Sequence, residues 1–80
     1  MHSLAMAQDI LQAVLTEAEK YDGKRIKAIG VKMGEDDFLE SDSVKFCLEA
    51  VARGTIAEGA QIEIELVGAN EFPQVTLELD

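Results

Sequence analysis

The chain has 80 residues with 16 acidic and 7 basic side chains, a formal net charge of −9 at pH 7. That is one small domain without the basic surface that nucleic acids and anionic membranes require, so neither is an expected partner. A single cysteine excludes an internal disulfide and every zinc site made of paired cysteines. No apolar run is long enough to span a membrane, and the start lacks the basic region of a signal peptide, so the expected compartment is cytoplasmic. So small a core favours an oligomer or a partner.

In chain order, the spacing of Leu4, Ala7, Leu11, Val14, Ala18 and Tyr21, widened by Ile10 and Leu15, predicts an amphipathic helix. Ser3 is its expected N-cap, and Asp22-Gly23 its stop. "KRIKAIGVKMG" (24–34) reads as a strand, because Ile29, Val31 and Met33 alternate with Gly30 and Lys32. Ile26 is out of phase, which calls for a bulge or a change of exposed face near Lys27-Ala28. "EDDFLESDS" (35–43) reads as an acidic connection to a second helix. That helix has Val44, Cys47, Leu48 and Val51 on one face, Phe46 and Ala50 beside it, a cap at Ser41 or Ser43, and an end at Gly54. "TIAEGA" (55–60) is rich in turn residues. Ile62, Ile64 and Leu66 then alternate with Glu63 and Glu65, and Val75, Leu77 and Leu79 alternate across "GANEFP", the pattern of a hairpin. The order α-β-α-β-β predicts an α+β two-layer sandwich: one domain over 1–80, with two helices on one face of a small three-stranded sheet and the other face wet.

Little in this sequence suits catalysis. Cys47 falls on the apolar stripe of its helix, and no second histidine exists to activate it. The glycines never take phosphate-loop spacing, and 80 residues leave little room for a cleft between paired carboxylates. An enzyme is not expected. The acids Glu35, Asp36, Asp37, Glu40 and Asp42 lack the spacing of a calcium loop and read as a solvated segment ahead of a helix.

His2, the only histidine, stands beside the terminal amine. The amine of Met1, the imidazole of His2 and the deprotonated amides of His2 and Ser3 offer four nitrogens, the donor set that Ni(II) and Cu(II) favour in square-planar geometry. Binding must displace protons, so it should strengthen with pH. By itself, this pattern belongs to any chain that begins Met-His.

Several stretches together give that pattern a context. "MHSLAMAQDILQAVLTEA", "KRIKAIGVKMGE" and "VKFCLEAVARGTIAEGAQIEIE", in which "GTIAEGA" is the most distinctive piece, resemble the HypA/HybF family of hydrogenase nickel-incorporation proteins, over nearly all of residues 1–67. The resemblance implies a nickel metallochaperone that holds Ni(II) at its amino terminus. With a maturation GTPase, it delivers the metal to a [NiFe]-hydrogenase large-subunit precursor, and in some bacteria to urease. By position, His2 corresponds to the family's ligand and Met1 supplies the amine. Ser3 stands where the family has glutamate: if residue 3 contributes its backbone nitrogen to the metal, the change is tolerated, and if the family's carboxylate tunes the site or contacts the partner, Ser3 has lost that role. Glu40 falls near an acid that assists at nickel in some members.

The family's zinc lobe, with two CxxC pairs between the third and final strands, has no counterpart here, because "IEIELV" reaches "QVTLELD" through "GANEFP". No zinc is therefore expected, and the chain reads as the nickel lobe alone, natural or engineered, closed by a hairpin. A second reading is an interaction module that no longer carries metal, with Glu63, Glu65, Asp36 and Asp37 forming an acidic docking face for a basic partner.

Overall fold

The computed structural model of the chain describes residues 2–68 and 74–80, apart from the side chains of Asp37 and Phe38. Helix α1 spans His2–Ala18 and buries Ser3, Ala7, Ile10, Val14 and Ala18. This seam lies one position away from part of the expected stripe, leaving Leu4 and Tyr21 exposed. Ser3 is inside the first turn and is therefore not the N-cap. Tyr21 leaves the seam because Glu19–Tyr21 tighten into a 3₁₀ turn, and three residues per turn rotate side chains out of the α-helical phase. Asp22 (φ 63°) and Gly23 (φ 69°) then take left-handed conformations and turn the chain into β1, Ile26–Gly34.

Along β1, Ile29, Val31 and Met33 are buried as the alternation predicts. Ile26 is buried as well, and a register shift between Ile26 and Ala28 supplies the bulge that its phase requires. Residues Glu35–Glu40 form a 3₁₀ helix rather than a loop. Helix α2, Ser41–Val51, follows from Glu40 at the N-cap position, with no side-chain cap bond. Ser41 and Ser43 lie within α2 and do not precede it as a cap would. Val44 and Leu48 of α2 are buried, Cys47 is half-buried, and Phe46 points away from the core.

The "GTIAEGA" segment is a run of turns that hold one another. Gly54 and Gly59 both have φ of +80°, a conformation that glycine adopts without steric cost. The Thr55 hydroxyl donates to the Ala52 carbonyl at 2.6 Å and accepts from the Ala57 N–H at 3.0 Å. The Glu58 carboxylate accepts from the Gly54 N–H at 2.8 Å. The chain then enters β2, Gln61–Val67.

The sheet order is β2-β1-β3, where β3 is Gln74–Leu79. β1 pairs in parallel with β2, from Ala28↔Gln61 to Gly34↔Val67, and antiparallel with β3. The expected hairpin is therefore not formed, since β1 lies between the last two strands. Alternation tells which side chains face the core, but not which strand is the neighbour. A parallel β1-α2-β2 crossover leaves the far edge of β1 open, and β3 fills it. Two inter-strand spacings are only about 10 Å, well within reach of the residues between Val67 and Gln74.

Both helices cover one face of the sheet. Ile29, Met33, Leu48, Val14, Val31 and Val44 are its largest fully buried side chains, each stabilising the fold by about 1.5–3 kcal/mol. The open face carries small residues in the middle, Ala28 and Gly30, with Glu63 and Glu65 on one side and Thr76 and Glu78 on the other. Among the described residues, no helix is long and apolar enough to cross a membrane.

Candidate metal site

His2 is the first residue of α1, and Glu40 is the last of the 3₁₀ helix that leads into α2. Contact between them brings the two helix N-termini to one end of the molecule, the end at which β1 runs out at Gly34. His2 Nε2 stands 3.3 Å from Glu40 Oε2, with the imidazole 61% exposed and the Glu40 side chain 38%. The pair is thus open to solvent while one of its atoms is not: Glu40 Oε2 is shielded and has no hydrogen-bond partner among the described residues. A shielded carboxylate oxygen without a donor is the kind of group that a cation or a well-aligned N–H satisfies.

The backbone adds to this. The first four N–H groups of an α-helix have no intrahelical acceptor, and the amides of His2 and Ser3 are among them in α1. A metal that takes these two nitrogens breaks no helical hydrogen bond. Ser3 is only 5% exposed, so its side chain faces inward. Met1, the expected amine donor, lies outside the described residues. No three His, Cys, Asp or Glu side chains converge among the described residues.

The structure also sets Asp9 in one groove with His2, which the sequence reading missed. Both line an apolar groove between α1 and β3, with Met6, Ala13 and Val75. The signal was there: positions 2 and 9 are seven apart, two helical turns, and so share a face of α1. Of the acids expected to form one docking face, Glu63 and Glu65 stand together on the open sheet face, joined by Glu78. Asp36 is exposed in the 3₁₀ helix and does not line that depression, and the Asp37 side chain is outside the described residues.

Fold and site together define a class: a small α+β sandwich with a histidine–carboxylate pair where its two helices begin. A family described as hydrogenase/urease nickel incorporation, metallochaperone, HypA matches residues 1–71. Hydrogenase maturation factors HypA from three organisms are similar. That of Pyrococcus furiosus is 46% identical over 65 residues, covering 81% of this chain and 47% of the relative. That of Methanopyrus kandleri is 41% identical over 66 residues, covering 82% and 46%. That of Azotobacter vinelandii is 41% identical over 69 residues, covering 85% and 61%. The chain belongs to the HypA family, and it spans about half the length of the curated relatives it matches.

Proposed function

We propose that residues 1–80 are a nickel-binding lobe working without a zinc lobe, which captures Ni(II) at the amino terminus for hydrogenase maturation in the cytoplasm. The observation that carries this reading is the contact of His2 with Glu40 at 3.3 Å, in a chain that belongs to a nickel-incorporation family. Met1 supplies its amine, His2 and Ser3 their amides, and His2 its imidazole. The imidazole nitrogen that closes a ring with the backbone is Nδ1, because Nε2 points toward Glu40. Glu40 then acts as a positioning residue: its Oε2, 3.3 Å from Nε2 and without a hydrogen-bond partner among the described residues, would take the Nε2–H after a small turn of the imidazole, fix the tautomer and keep Nδ1 turned to the metal. No bond of a substrate is made or broken. The cargo leaves by ligand exchange to a maturation GTPase and the hydrogenase large-subunit precursor.

The test is a titration of the tag-free protein with Ni(II), followed by the visible d–d absorption of a square-planar complex. A one-to-one yellow complex is expected. It should vanish in His2→Ala and in a protein with one residue added before Met1, because each removes a nitrogen from the ring system. The affinity should rise with pH, since protons must leave the amine and the amides before the metal can bind. A complex indifferent to His2 sinks the proposal.

A second reading is favoured by one observation, the grouping of Glu63, Glu65 and Glu78 on the open sheet face. There the chain is an interaction module, and this face docks a basic protein surface. Glu63→Gln with Glu65→Gln would weaken that docking and flatten its salt dependence, whereas His2→Ala would leave it unchanged.

A further inference from the structure

Helix α2 presents Val44 and Leu48 to the core. Its outer side carries Asp42, Phe46 and Ala50 at steps of four residues, and Arg53 stands three residues on, in the turn just past the helix end, so that it continues their stripe. All four are exposed, and Phe46 is 71% so. Lys45 and Glu49 follow on one flank of this stripe. None of the four charged side chains is in an ion pair among the described residues. Lys45 and Glu49 remain apart although they are one turn from each other, in the order that favours intrahelical pairing least.

The stripe has an acid at its N-terminal end, an aromatic ring beside a small residue in the middle, and a base at its C-terminal end. A helix so marked is complementary to itself when it is turned round. The midpoints of the pairs 42/53, 46/50 and 45/49 are 47.5, 48 and 47, so one two-fold axis serves all three. About that axis Asp42 faces Arg53 of a second copy, Phe46 covers the second copy's Ala50, and Lys45 meets its Glu49. Each contact occurs twice, and the helix dipoles oppose one another. A parallel arrangement would instead set Asp42 against Asp42.

We propose that the outer face of α2 is a homodimer interface, in which two copies of this chain pair their α2 helices antiparallel about Phe46 and Ala50. An 11-residue helix is only about 16 Å long. The contact therefore falls at the small end of specific interfaces, and the dissociation constant is expected to be on the order of 10–100 µM.

Sedimentation equilibrium of the 80-residue chain from roughly 10 µM to 1 mM brackets that constant. The parent chain should move from monomer to dimer over the range. Phe46→Glu should remain monomeric. Asp42→Arg alone and Arg53→Asp alone should each weaken association by about tenfold or more, since each opposes like charges twice. An equimolar mixture of those two variants should associate again, and so should the double variant Asp42→Arg/Arg53→Asp, because both restore the pairs. Circular dichroism of each variant confirms its fold, and recovery in the mixture cannot arise from misfolding. A parent monomeric throughout, a dimer indifferent to Phe46→Glu, or a mixture no tighter than its components overturns the proposal.

Discussion

The two faces of β1 have opposite fates. One carries Ile29, Val31 and Met33 into the core between the helices and the sheet. The other offers Ala28, Gly30 and Lys32 to a shallow depression bordered by Glu63, Glu65, Thr76 and Glu78. Stability is concentrated on the first face, where large side chains leave water. The second face and the helix N-termini are left for surface chemistry, and His2 sits with them rather than with the core. The lesson is that residues that could bind something and residues that hold the fold hardly overlap in this chain.

Substitutions can sharpen or break that separation. Leu48→Ala, at a fully buried site in the core, should have the largest effect, a loss of about 2–5 kcal/mol in urea unfolding. Gly30→Ala should cost about 1–3 kcal/mol, because the new Cβ would stand 2.5 Å from Thr76 Oγ1 and force that stiff side chain to turn. The double variant Gly30→Ala/Thr76→Ala should recover most of the loss, a non-additivity that a denaturation cycle reads directly. His2→Ala should change stability by less than about 0.5 kcal/mol while removing the nickel absorption band. Smallest of all should be Glu63→Gln, in which unfolding is unchanged. A large stability loss in His2→Ala would show that the site and the core are one unit after all.

Much of the fold was legible because periodicity reports which side chains leave water. It gave the two helices, the three strands and the bulge after Ile26. Strand order was not legible, since alternation in Val75, Leu77 and Leu79 is the same whether β3 pairs with β2 or with β1. Helix starts were misread for a related reason: Ser3, Ser41 and Ser43 are good cap residues by type, but the apolar seams of α1 and α2 pull each helix back past them. Phe46 is expected beside the apolar face of its helix, and its phase relative to Val44 and Leu48 carries it fully outward. At the site, His2 and Glu40 are 38 residues apart, and no spacing rule joins them. The likeness of neighbouring stretches to the HypA family singled them out, and the meeting of the two helix starts brings them within 3.3 Å.

The strand order also decides what surrounds that meeting point. β2 ends at Val67 beside Gly34, and β3 begins at Gln74 beside Lys32. The chain therefore leaves the sheet and re-enters it at the end where β1 gives way to the segment that carries Glu40. Val75, just inside β3, already shares a groove with His2. This junction is a splice point: β2 and β3 each pair with β1 and not with one another, so residues added or removed between them leave every pair in the sheet intact. Evolution or an engineer can thus change the chain at the histidine's end of the sheet without touching the core.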